Sequence, residues 1–376
     1  MRSLARWNWL SVKSGLAVFA VLTILGLYVG SLAAQGGGAA QGGAGAQGGR
    51  AAGAGGGQGA GAPAGRAGGR GPAAGSFDPI LVGVIDVHAH SGPDSRARSI
   101  DFLDAARYAK LRGMRGLVLK HHRDPTAGYA YIARKEVPGL EVFGLIDMNQ
   151  NVGGLNPFAL EQFVAVTMPG APPQGYGRVV MLASDDTPYQ LQVNKGMTPP
   201  VVVVRNNQLT PEAAKIVELV KKYDLTLSSG HHNGAESVVI VREAIKMGIS
   251  PTRIGVTHAN IDPPGLTVEQ MQEVAKMNAF VEICIQSQRA LNPDAQKALD
   301  ARNDRMADIV KKVGAEHIIM ETDLGQANNE YHPDGILAWV RAMRARGISP
   351  ADTDIMTKRN PARYLGIPEL PAAGTQ

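Results

Sequence analysis

From about Phe77 onward, short apolar runs alternate with amphipathic stretches. Runs rich in Val, Ile and Leu recur at LVGVIDVH, RGLVLKHH, LEVFGLID, RVVMLAS, LTLSSGHH, RIGVTHAN, FVEICIQS and HIIMETD. They are nearly continuous in apolar character rather than alternating, as expected of strands covered on both faces. Between them, SIDFLDAARYAKLRG, TPEAAKIVELVKKYD, AESVVIVREAIKMG and TVEQMQEVAKM repeat apolar residues at helical spacing. Eight strand–helix units over about 290 residues predict a single (β/α)8 barrel of the TIM type over residues 77–370, with 371–376 as a tail. The alternative is an open, doubly wound parallel sheet. That fold calls for a glycine-rich phosphate turn after the first strand, and VHAHSGPD is not one. The fourth unit carries an insertion, DDTPYQLQVNKGMTPPVVVVRNNQL, predicted as a loop or short hairpin that could cover the barrel mouth.

The N-terminal region has a different pattern. Arg2, Arg6 and Lys13 precede the apolar run GLAVFAVLTILGLYVG and the small residues SLAAQ. This is the order of a signal peptide, with Ser31 and Ala33 suited to a cleavage site; an uncleaved membrane anchor is the alternative for residues 1–34. Either reading places the barrel outside the cytoplasm, as a periplasmic, secreted or membrane-anchored domain. Residues 35–76 are Gly, Ala and Gln with a few Arg, which cannot bury enough apolar surface to offset ordering entropy and read as a flexible linker. The charge follows this division. The formal charge is +5, but six of the 38 basic residues and none of the 33 acids precede Phe77, leaving 32 basic against 33 acidic residues in the barrel region. A near-neutral domain without a basic patch argues against a nucleic-acid partner. The expected partner is a small molecule, with a homo-oligomer open and membrane contact limited to the N-terminal segment. The one cysteine, Cys284, excludes an intrachain disulfide and a multi-Cys zinc site.

Candidate chemistry lies at the predicted strand ends. The first strand ends in His88 and His90, the second in Lys120, His121 and His122, the fifth in His231 and His232, the sixth in His258 and the eighth in Asp323. Seven of the nine histidines lie at these ends, which in a parallel barrel form one rim. Side chains two apart on a strand share a face, so His88 and His90 can offer nitrogens to one metal. Nitrogen and oxygen donors without thiolate suit zinc, manganese or iron.

This set resembles the amidohydrolase superfamily. The resemblance runs from Asp86 to Gly366 and rests on DVHAH, on His231 in SSGHH, on His258 in VTHAN, and on Asp323 in METDLG. The ETD wording is similar to the TatD-like branch, and KRNPARYLGI is similar to a common superfamily ending. It implies a divalent metal, zinc in the first instance, held by His88, His90 and Asp323, with His231 and His258 as a further ligand or a substrate-polarising group. It also implies a bridging Lys or Glu at the fourth strand in binuclear members. That strand reads RVVMLASDD, with only Asp185 and Asp186 nearby, so one metal is expected and a second stays open.

Lys120 has three readings: an anchor for a substrate carboxylate, a displaced carbamylated bridge, or an ion-pair partner. His122 is favoured over His121 because it shares a face with Lys120. His231 is favoured over His232, which is read as supporting a loop or facing substrate. Asp86 either orients His88 from the same face or bonds to backbone. Asp94, Arg96 and Arg98 either hold an anion at the mouth or are solvated. Cys284, between Glu282 and Gln286, reads as a packed residue. The expected activity is hydrolysis of an amide, cyclic amide, lactone or ester bond by metal-activated water, with Asp323 as general base and His258 or His231 stabilising the oxyanion. Non-oxidative decarboxylation of an aromatic or unsaturated acid, held by Lys120 and Arg96, is the first alternative. A site of the PHP type for phosphoesters and a non-catalytic binding protein are the others.

Overall fold

The computed structural model describes residues 75–370; the predicted export segment, nearly all of the linker and the tail lie outside the described residues. All eight apolar runs form strands: β1 (Ile85–His90), β2 (Gly116–Lys120), β3 (Glu141–Asp147), β4 (Gly177–Met181), β5 (Thr226–Ser228), β6 (Ile254–Val256), β7 (Phe280–Cys284) and β8 (Ile318–Glu321). Each pairs in parallel with the next in sequence order. A bridge between Ala89 and Leu324 joins the last strand to the first, and His90 N–H donates to Leu324 O at 2.9 Å. The architecture is the predicted (β/α)8 barrel.

Helices pack outside the strands: α1 (Phe102–Arg112), α2 (Ala127–Glu136), α3 (Pro157–Ala165), α4 (Pro188–Asn194), α5 (Pro211–Lys222), α6 (Gly234–Lys246), α7 (Val268–Lys276), α8 (Pro293–Val313) and α9 (His332–Ala345). Two short helices, α10 (Pro350–Asp354) and α11 (Asn360–Leu365), end the domain. Most starts are fixed by side chains that accept from free backbone N–H groups, such as Asp101 for α1, Thr210 for α5 and Thr267 for α7. One large apolar cluster lies between strands and helices. A second fills the barrel interior, where Ile85, Val87, Val118, Phe143, Leu145, Phe280 and Ile319 meet Ala362, Tyr364, Leu365 and Ile367. The KRNPARYLGI ending thus plugs the lower end of the barrel. Asn360 anchors the plug by donating to Ala315 O and Ile318 O at 2.9 and 2.7 Å.

The inward face changes from apolar to polar along each strand. On β1 the change is made by a bulge. Asp86 opposes Leu117 and Ala89 opposes Leu119, so three residues of β1 span two of β2. The extra residue shifts the side-chain phase. Ile85 and Val87 lie in the inner cluster below the bulge, and above it His88 and His90 face inward while Ala89 joins the outer cluster. This corrects the reading of Asp86 as sharing a face with His88. Its carboxylate instead accepts from Thr322 Oγ1 at 2.6 Å and from the N–H groups of His88 and Thr322 at 3.1 Å each.

The insertion after β4 holds α4 as well as a small hairpin, Val204–Arg205 with Gln208–Leu209. It lies against the β5 and β6 rim: Tyr189 Oη donates to Asp262 at 2.7 Å, and Thr187 Oγ1 donates to His231 O at 2.8 Å.

Candidate functional site

Four of the predicted residues converge at the barrel mouth. His90 Nε2 lies 3.0 Å and His88 Nε2 3.8 Å from Asp323 Oδ1, and His258 Nε2 lies 3.9 Å from Asp323 Oδ2. The His258 and Asp323 backbones are both left-handed, with φ of 48° and 51°. Residues held in such sparsely populated conformations cluster at functional sites.

Glu321, which the sequence reading did not single out, organises the set. It is fully buried at the end of β8. Its Oε2 accepts from His88 Nδ1 at 3.1 Å, and its Oε1 accepts from His258 Nδ1 and, at 3.1 Å, from the His258 N–H. With both Nδ1 atoms donating to one carboxylate, the Nε2 atoms are the ones turned toward Asp323. A carboxylate behind an imidazole fixes tautomer and ring orientation and raises its basicity. The charges agree. Burial alone would raise Glu321, but the His258 and His88 charges outweigh it and hold the carboxyl far below its usual range. Burial would lower His258, but Glu321 and Asp323 hold it well above the ordinary value. Asp323 is likewise pulled down despite burial, by His258, His88, His231 and Lys120. The signal for Glu321 was present in METD, as an acid two residues before Asp323 at the end of the last apolar run.

His231 sits beside this group, its ring 5.2 Å from that of His258. Its Nδ1 donates to Gln190 Oε1 of α4 at 2.8 Å, and its Nε2 has no hydrogen-bond partner among the described residues. Burial, then the charges of His258 and Lys120, push it well below the usual imidazole value. His232 turns away: its Nε2 donates to Leu182 O at 2.7 Å. It is therefore not among the convergent nitrogens.

The remaining predicted residues form a second, internally paired arc across β1 to β4. Lys120 Nζ donates to the buried Asp147 carboxylate, which also accepts from Ser184 Oγ at 2.5 Å. Lys120 is fully buried, so of its three readings the ion-pair partner is the one observed. His122 stacks on His90 with ring centroids 4.8 Å apart. Its Nε2 accepts from Arg96 Nη1 at 2.8 Å, so it does not join the convergent nitrogens. Arg96 Nη2 is 2.6 Å from Asp185 Oδ2. Arg98 is bonded to Asp94, with Nε 2.9 Å from Oδ2. Both arginines are therefore paired with acids, Arg98 with its side chain buried and Arg96 with its side chain 32% exposed.

Cys284 ends β7 inside the same mouth. Its Sγ is 3.9 Å from Asp323 Oδ2, and Asn260 brackets its backbone, accepting from its N–H at 2.8 Å and donating to its O at 2.9 Å. The donor atoms form three overlapping groups, each with all atoms within 4.8 Å: His88, His258 and Glu321; His88, His90 and Asp323; and His258, Cys284 and Asp323.

Solved structures share the fold. A phosphotriesterase homology protein from Escherichia coli, complexed with phosphate in its active site, aligns with a TM-score of 0.50 at 13% identity, covering 77% of this chain and 100% of that one. A variant of organophosphorus hydrolase from Deinococcus radiodurans gives 0.50 at 14% identity, covering 76% and 93%. An enzyme engineered for organophosphate hydrolysis from a weak promiscuous lactonase template gives 0.50 at 14%, covering 76% and 96%. At these identities the likeness is one of fold. No curated protein matches the chain. A family described as "Family of unknown function (DUF6282)" matches residues 83–282, from the glycine ahead of β1 into β7. That span is more than half of the chain and includes every rim histidine, and the chain accordingly belongs to this family, DUF6282.

Proposed function

We propose that the barrel mouth is the active site of a metal-dependent hydrolase. One observation carries this reading: three imidazole Nε2 atoms face a single carboxylate, Asp323, while a buried anion, Glu321, holds two of them from behind. The fit to a divalent cation is chemical as well as geometric. His88 is 2% exposed, and its Nε2 has no hydrogen-bond partner among the described residues. Buried polar atoms are normally satisfied, and a neutral imidazole nitrogen is a common metal ligand. His88, His90 and Asp323 would hold the cation, with His258 on the other side of the Asp323 carboxylate. It would polarise the scissile bond and acidify the attacking water.

Asp323 is ionised throughout the neutral range and is the group placed to take a proton from that water and return it to the leaving group. His231, with Nδ1 donating to Gln190, presents an acceptor Nε2, which suits a ligand or proton acceptor better than an oxyanion donor. Glu321 and Gln190 position the imidazoles without touching substrate. Hydrolysis is preferred to decarboxylation because Lys120 and Arg96, the cations that would bind the acid, are already paired with Asp147 and Asp185. The described similar structures make lactones and phosphotriesters the first compounds to assay, with carboxylic esters and cyclic amides next. Export is proposed on residues 1–34 alone.

Bound metal is measured first on the full chain, and hydrolysis is then screened with the loaded protein. In Asp323→Asn we expect kcat to fall about 10²–10⁴-fold. Undiminished turnover in that variant would remove Asp323 from the mechanism. Absence of any bound divalent metal after reconstitution would remove the proposal itself.

A further inference from the structure

The two oxygens of Asp323 face different donors. Oδ1 faces His88 and His90. Oδ2 faces His258 Nε2 at 3.9 Å and Cys284 Sγ at 3.9 Å. We propose that the second pair is a cation subsite in its own right, with the Cys284 thiolate as a ligand beside His258 and Asp323. The proposal rests on the reading of the mouth as a metal centre, and it adds a donor class, sulfur, that the histidine pattern does not imply.

The spacing supports it. Tetrahedral zinc with bonds of about 2.0–2.3 Å holds its ligand atoms roughly 3.3–3.6 Å apart. The observed separations of 3.9 Å need contraction by only a few tenths of an ångström. The sulfur is also held in place. Asn260, two residues after His258, pairs with both the N–H and the O of Cys284, so the β6 rim and the end of β7 are fixed relative to each other. Cys284 is fully buried, and on β7 it shares the inward face with Glu282 instead of lying in the apolar cluster that takes Val281, Ile283 and Ile285. A coordinated thiol is deprotonated outright, so binding releases the Sγ proton to solvent as the sulfur–metal bond forms. A soft ligand favours zinc over manganese or magnesium.

The test is cobalt(II) substitution of the full-length protein, with Cys284→Ser alongside. Wild type is expected to show ligand-field bands and, in the near ultraviolet, a sulfur-to-cobalt charge-transfer band that Cys284→Ser lacks. X-ray absorption of the zinc form is expected to show a sulfur scatterer at about 2.3 Å. The wild-type measurements stand even if the serine variant fails to fold. Cobalt bound with ligand-field bands, but with neither the charge-transfer band nor a sulfur scatterer, would overturn the thiolate ligand and leave the metal centre intact. No bound cobalt or zinc would overturn both.

Discussion

Glu321 makes no contact with solvent, yet it decides how His88 and His258 present their outer nitrogens. Glu321→Gln keeps the shape and removes the charge. Metal affinity should fall about 10–100-fold, read by competition with a chelator. Lys120 and Asp147 test a different point. Lys120→Met leaves a buried carboxylate without its cation and should cost about 3–5 kcal/mol, measured by denaturant unfolding. Lys120→Met with Asp147→Leu should recover much of that loss, whereas a substrate anchor would show itself as a raised KM in both variants. At the rim, burial tends to raise Asp94, but the hydrogen bonds and charge of Arg98 outweigh it and leave the carboxyl below its usual range. A depressed carboxyl stabilises the fold above its unfolded pKa of about 3.9 and loses that contribution as pH falls through the lower folded value. Asp94→Asn should therefore cost about 2 kcal/mol at neutral pH. The melting temperatures of wild type and variant should converge in acid.

Among the elements, β1 shows what pattern alone reveals and what it misses. The period of two correctly put His88 and His90 on one inward face. It wrongly put Asp86 with them, because the bulge between Asp86 and Ala89 resets the phase and depends on pairing with β2. The same limit applies to α4: its seven residues sit between Pro and Gly signals in the insertion, too short for a clear helical period, yet they supply Gln190 to His231. The β3–α2 junction depends on a missing side chain. A Cβ on Gly144 would lie 2.5–2.7 Å from the backbone of Thr126 and Ala127, where Thr126 Oγ1 accepts from Leu145 N–H at 2.8 Å. Gly144→Ala should cost about 1–3 kcal/mol through overpacking, measured as a lower unfolding midpoint at constant slope.

For the whole molecule, the C-terminal plug and the bound cation are the two long-range supports. Deleting residues 360–370 would remove Ala362, Tyr364, Leu365 and Ile367 and expose the barrel interior they cover. At about 1.5–3 kcal/mol for each large side chain, the loss rivals the total stability of a domain, so the truncated protein should show no cooperative thermal transition. A cation at 100 times its Kd should add about 2.7 kcal/mol, and chelation should lower the melting temperature accordingly. The sequence by itself determined the eight alternating units, and with them the barrel and the rim, because burial on both faces writes apolar runs directly into the chain. It also marked His88, His90, His258 and Asp323, because a barrel puts strand ends together whatever its loops do. Only the tertiary structure decided which rim groups are already engaged with one another. Lys120 meets Asp147, Arg96 meets Asp185, Glu321 lies behind two histidines and Cys284 lies beside Asp323. Those pairings join residues of different strands, and their distances depend on register, bulge and barrel closure, none of which is a local property of the chain.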